Sequence, residues 1–291
     1  MSKDVVYDYV TERIVALLEK GVVPWRKTWA TDERFPMNLA SGKTYRGINV
    51  FMLAVAGYGS PYWLTRKQIV DRGGHIREGE KANMVVFYSE LLKDKNTGAK
   101  LTPDEARGRE NVNRFRMLRY SNVWNVEQCE GVEYPKPAAR DVTFNPIAEA
   151  ESIRDGMPNR PQITHNEQRA YYRPSTDVVN MPKPETFTRA EEYYATLFHE
   201  LTHSTAHASR LDRRSKDEDL THGSTDYAKE ELVAEMGASF LNAVAGTIAP
   251  VLENSAAYIA GWLRSLKNDR KLVVSAASAA HKAADYILNK A

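Results

Sequence analysis

The chain has 291 residues, 42% of them hydrophobic, and a formal net charge of +2. That size allows two domains with real cores, and so small a net charge does not mark a general polyanion binder. One cysteine, Cys129, excludes a disulfide framework or a cysteine-rich zinc finger. No apolar run reaches the roughly 20 residues that span a bilayer, and Lys3, Asp4 and Asp8 interrupt any signal-like segment, so a cytoplasmic, non-membrane protein is expected.

Residues 4–20 place Val6, Tyr9, Val10, Ile14, Leu17 and Leu18 at three- and four-residue spacing, which predicts an amphipathic helix. Gly21 and Pro24 end it. An irregular aromatic and basic stretch follows, then a short apolar helix at 48–56 and a Thr65-capped helix running to about Gly73-Gly74. Residues 84–88 and 115–126 read as strands on either side of a charged loop at 93–111. Gly131, Pro135 and Pro137 suggest a linker at 131–140, between a domain at 1–130 and a second at 141–291. The second half reads as a helix at 144–156, short strands within 162–179, and helices at 187–209, 227–245, 250–267 and 271–289. The predicted class is α+β: an α+β N-terminal domain, then a mainly helical one with a small sheet.

The 187–209 helix carries His199-Glu200-Leu201-Thr202-His203, the pattern H-E-x-x-H. Histidines four apart share one helix face and can grip one ion, and the adjoining glutamate can act as general base on a water held there. Glu200 is the candidate base, and His199 and His203 are candidate ligands. Zn²⁺ is the expected cofactor, with Mn²⁺ as an alternative. Candidates for a third ligand are His207, His222, Glu230, Glu231 and Glu235. The glycine turn of the metzincins is absent. Glu231 and Glu235 share a face of the next long helix, so one can bind metal while the other supports a histidine. Analogy with gluzincins selects Glu231 as ligand and Glu235 as alternative or support. Residues 171–173 and 177–181 could form an edge strand beside the cleft, able to take an extended peptide.

In the N-terminal half, Trp25, Trp29, Tyr45, Tyr62 and Trp63 interleave with Arg26, Lys27, Lys43, Arg46, Arg66 and Lys67, and Asn38, Asn49 and Gln68 could add hydrogen bonds. Aromatic faces for bases and cations for phosphates are what single-stranded nucleic acid requires. The competing reading makes the tryptophans core and the cations a solvated face.

Together, Leu18–Trp25, Tyr45-Arg46-Gly47-Ile48-Asn49, Tyr62–Gln68, Tyr120–Val126, Thr196–His203, Ser209-Arg210-Leu211 and Glu230–Glu235 resemble the ArdC family of antirestriction proteins from conjugative plasmids. The N-terminal module is also similar to that of plasmid-encoded conjugative primases. The resemblance implies a single-stranded-DNA-binding domain joined to a zincin-like metallopeptidase domain. It also implies protection of incoming plasmid DNA from host restriction. A host protein is a further candidate partner. Two other readings compete: a DNA-dependent protease that clears proteins from DNA, and a pure single-strand binder with an inactive metal fold.

Overall fold

The computed structural model describes residues 3–26, 35–135, 146–213, 219, 221, 224–247 and 255–290. The first predicted helix is present as α1 (Lys3–Glu19), its apolar stripe of Val6, Val10, Ile14 and Leu18 buried. After β1 (Met37–Asn38), α2 (Ile48–Ala54) is apolar on almost every side, and Ile48, Val50, Phe51, Met52 and Leu53 are all buried. β2 (Tyr62–Leu64) leads into α3 (Arg66–Asp71). A capping box starts α3: Thr65 Oγ1 accepts from the Gln68 amide while Gln68 Oε1 accepts from the Thr65 amide.

β3 (His75–Ile76) precedes two strands longer than predicted, β4 (Asn83–Asp94) and β6 (Val112–Asn125). They pair antiparallel in unbroken register from Asn83–Val123 to Asp94–Val112. The charged loop between them holds β5 (Lys100–Leu101) and α4 (Pro103–Ala106). Register, rather than hydrophobic alternation, extends this ribbon, because its outer half is solvated and carries polar residues. The main sheet runs β1-β2-β6-β4-β5, and β3 pairs with β7 (Cys129–Glu130). Of the expected linker, residues 136–140 lie outside the described residues.

The second half opens with α5 (Pro146–Gly156). A small sheet of β8 (Gln162–Thr164), β9 (Tyr171–Arg173) and β10 (Val178–Asn180) follows, in the order β8-β10-β9. β9 is therefore an edge strand, whereas β10, read from sequence as part of an edge, lies in the middle. The helices α6 (Ala190–Ser204), α7 (Thr225–Ala245), α8 (Ser255–Asn268) and α9 (Leu272–Ile287) complete the described fold.

One hydrophobic core runs through both halves, from Val6, Ile14, Trp25 and Phe51 to Phe198, Phe240, Trp262 and Ala280. Small residues make this possible on α9, where Ala276, Ala277, Ala280, Ala283 and Ala284 are buried. α2 docks its N-terminus there: the Gly47 amide donates to His281 Nδ1 (3.3 Å), and Arg46 pairs with Asp285. At the other end of α9, Thr11 of α1 donates to the Arg270 carbonyl (2.7 Å).

Candidate metal centre and nucleic-acid interface

α6 stops at Ser204, five residues short of the predicted end, and its own sequence explains why. Thr202, Ser204 and Thr205 turn their hydroxyls back onto the carbonyls of Phe198, Leu201 and Thr202 (2.7, 2.7 and 2.6 Å), an arrangement that loosens helices. Two arginines then add further donors to the carbonyls at the helix end. Arg210 Nε donates to Ser204 O (2.7 Å), and Arg213 donates to Thr202 O (2.9 Å). The chain therefore turns away before His207, which bonds Ser209 Oγ (2.8 Å) instead of continuing the metal-facing stripe. His222 lies outside the described residues.

α7 crosses α6 closely because Gly237 has no side chain. A Cβ there would lie 2.4 Å from the Thr202 methyl. This approach brings His199 and His203 of α6 together with Glu231 of α7, ligand atoms all within 4.8 Å of one another. The two Nε2 atoms are 3.1 Å apart, and Glu231 lies 3.6 Å from His199 and 3.5 Å from His203. Tetrahedral ligands at about 2.0–2.1 Å from a zinc ion stand about 3.3 Å from each other, so the set fits such an ion. Glu200, between the two histidines in sequence, is buried on the same helix.

Glu230 supports the centre from behind. His203 Nδ1 donates to Glu230 Oε1 (3.0 Å), which leaves Nε2 for the ion. Arg213 forks onto the same carboxylate, with its second amino group 2.9 Å from Oε1. On His203, then, the supporting carboxylate is Glu230, a residue the sequence reading considers only as a ligand. Glu235 is buried one turn further along α7.

The buried charges of the site act strongly on one another. Burial opposes ionisation of both carboxylates, yet His203 and Arg213 hold Glu230 down at about 2. His199 and His203 hold Glu231 well below the usual carboxylate range against the same burial. Burial likewise pushes His203 down, but Glu230 and Glu231 win and lift it to about 10. His199 is raised for the same reason, chiefly by Glu231. Arg213 already compensates Glu230, so a proton on an imidazole or a divalent ion would balance Glu231.

A second buried arginine braces the small sheet. Arg210 spans Asp177 (3.1 Å to Oδ2), the Tyr172 hydroxyl (3.3 Å) and the Asn159 carbonyl (2.7 Å). It ties β9 and β10 to the end of α6.

The aromatic and basic residues expected to hold nucleic acid are scattered. Trp25 and Trp63 are 1% and 2% exposed, and Tyr62 is also buried. Trp25 packs edge-on against Trp262 and Phe51, with centroids 5.3 and 6.4 Å apart. These rings present no face to a base, which corrects the stacking role given to them: their apolar area is spent on the core. Asn49 straps the Val86 amide and carbonyl (2.7 Å each), and Gln68 caps α3 and pairs with Asn38 (2.9 Å). Tyr45 is half-buried against the Trp63 cluster, Arg46 is engaged by Asp285, and Lys67 is exposed. Lys27, Trp29 and the side chain of Arg26 lie outside the described residues. Among the described residues the exposed rings are elsewhere: Tyr9 on α1, Phe87 and Tyr88 on β4, and Phe115 and Tyr120 on β6. The sequence signal for those on β6 was present in Arg114-Phe115-Arg116 and Arg119-Tyr120, a basic and aromatic run read only as a strand.

Comparison with known proteins follows the same division. Residues 4–124 match the N-terminal domain of the anti-restriction factor ArdC, and residues 151–279 match a zincin-like metallopeptidase. The crystal structure of the antirestriction ArdC protein of plasmid R388, in its metal-free form, is 38% identical with a TM-score of 0.77, over 98% of this chain and 97% of that one. The chain belongs to the ArdC family of antirestriction proteins. The Mn(II)-bound structure of the R388 protein has a TM-score of 0.75 over the same extent. An uncharacterised protein of Sinorhizobium fredii is 34% identical over 97% of this chain and 91% of its own length. Two Escherichia coli DNA primases TraC are 35% and 36% identical over 97% of this chain, but it spans only 27% and 20% of their lengths. Among the described residues no helix is long and apolar enough to cross a membrane.

Proposed function

We propose that this ArdC-family protein binds single-stranded DNA entering by conjugation, shields it from host restriction, and carries a metal-dependent peptidase centre. The observation that carries the second half of this reading is the convergence of His199, His203 and Glu231 from two helices, with Glu200 beside them. Zn²⁺ and Mn²⁺ both suit two imidazoles and a carboxylate. A divalent ion there supplies Lewis-acid polarisation of water and of a scissile carbonyl. Glu200 takes the proton of the attacking water and returns it to the leaving amine. Glu230 and Arg213 fix the His203 ring so that Nε2 faces the centre. The DNA-binding part is supported by the match of residues 4–124 and by the exposed rings and cations of the β4–β6 ribbon.

The test is restriction protection in cells by the wild type and by Glu200→Gln, which keeps every candidate ligand. Loss of protection with DNA binding intact makes hydrolysis part of the mechanism and directs the search to a protein substrate. Full protection by the variant assigns shielding to DNA binding alone and overturns a required peptidase. DNA-stimulated cleavage of DNA-bound proteins, without any effect on restriction, would favour the clearing protease instead.

A further inference from the structure

A cavity of about 600 Å³ opens where the β4–β6 ribbon meets α9 and the turn after α6. Tyr88 and Arg116 line it from the ribbon, Arg213 from the turn, and Ser275, Ser278 and Lys282 from α9. The described lining residues include three cations and no carboxylate. Arg213 is already committed to Glu230. Among the described residues Arg116 meets a loose, exposed partner, its Nε 3.7 Å from Glu90, and Lys282 is exposed. An exposed pair at that distance is screened by water and weak, so both cations can turn to a new anion.

The strand register extends the site. Tyr120 pairs with Val86, Tyr88 with Leu118, Arg116 with Glu90 and Arg114 with Leu92. Because side chains alternate along a strand, Tyr88, Arg114, Arg116 and Tyr120 share one face of the ribbon. Glu90 lies on that face too, within 3.4 Å of Arg114. Tyr88 is 53% exposed, with its hydroxyl 3.1 Å from that of Tyr7 on α1. Exposed aromatic residues between cations, ending in a cationic cavity, suit a strand whose bases are unpaired and whose phosphates recur.

We propose that this junction binds a single nucleic-acid strand: Arg116 and Lys282 hold phosphates, and Tyr88 offers its ring to an unpaired base. The proposal rests on the DNA-binding reading above and names where that strand lies. The site belongs to neither half alone, since Lys282 comes from α9 and Arg116 from β6.

The test is fluorescence anisotropy of a labelled oligothymidine with the full chain, across a salt series. The Arg116→Glu/Lys282→Glu double variant should bind about tenfold or more weakly, with a salt slope flatter by about 0.7 per lost phosphate contact. Tyr88→Ala should weaken binding about tenfold at unchanged slope, and Tyr88→Phe, which keeps the ring, should not. Lys81→Glu, the same reversal outside the cavity, should bind as wild type does. All four substituted residues are exposed on the surface, and circular dichroism checks that each variant folds. If the double variant binds like the wild type while the wild type binds well, the cavity is not the site and the DNA-binding reading survives. If the wild type itself fails to bind, that reading falls with it. If the double variant loses peptide cleavage but not DNA affinity, the cavity belongs to a peptide substrate and the proposal is overturned.

Discussion

Glu230 and Glu231 are neighbours in sequence, yet they face different partners. Consecutive helical residues point about 100° apart, so Glu231 reaches the Nε2 side of both histidines while Glu230 reaches Nδ1 of His203 and the Arg213 fork. Glu230→Gln keeps the size of the side chain but removes the charge that orients His203. Its Zn²⁺ or Mn²⁺ affinity should fall about 10- to 100-fold, the usual effect of losing a ligand's support. Competition with a chelating dye measures this, and unchanged affinity would mean that Arg213 and packing alone fix the ring. His199, Glu200 and His203 could be singled out from sequence because a four-residue repeat on a helix fixes their common face. The supporting glutamate could not. Glu230, Glu231 and Glu235 are chemically identical, and the rotation of α7 that chooses among them is set by Gly237 against Thr202, a contact 35 positions apart in the chain. Trp25 and Trp63 show the converse limit, because a tryptophan beside cations reads alike whether its ring faces solvent or the core.

At the level of elements, the α2–α9 joint is pH-sensitive by construction. The Gly47 amide donates to His281 Nδ1, so that nitrogen must stay unprotonated to accept. Burial, then the Arg46 and Lys290 charges, push His281 down to about 4, with Asp285 pulling the other way; Phe35 and Phe240 pack on its ring. A histidine depressed by folding contributes stability that is complete above its ordinary value of 6.5 and is lost as pH falls towards 4. The melting temperature of the wild type should therefore drop more between those pH values than that of His281→Gln, followed by thermal denaturation at each pH. Parallel losses would show that the joint tolerates an imidazolium. Helices such as α1, α7 and α9 were legible because their apolar spacing is regular. The outer half of the β4–β6 ribbon was not, because solvated strands lack a buried face to pattern, and cross-strand register holds them instead.

For the whole molecule, the common core sets the expectation. Val6 to Leu18 of α1 pack in one cluster with Trp262, Leu266 and the alanines of α9. Both halves should then unfold together. Urea titration followed by tryptophan fluorescence, which reports on Trp25 and Trp63 as well as Trp262, and by far-ultraviolet circular dichroism should give one coincident transition. Two separated transitions would show that the family's two matched segments are independent folding units.

The closure of α1 against α8 and the start of α9 also has a consequence during synthesis. Thr11 finds its partner carbonyl only at Arg270, 259 residues later. At about 5–20 residues per second, that gap takes roughly 13–50 s to translate. Through that interval the α8-facing side of α1 emerges without its final cover, and a newborn chain must shelter it against neighbouring strands, a chaperone or the ribosome surface until α8 and α9 arrive.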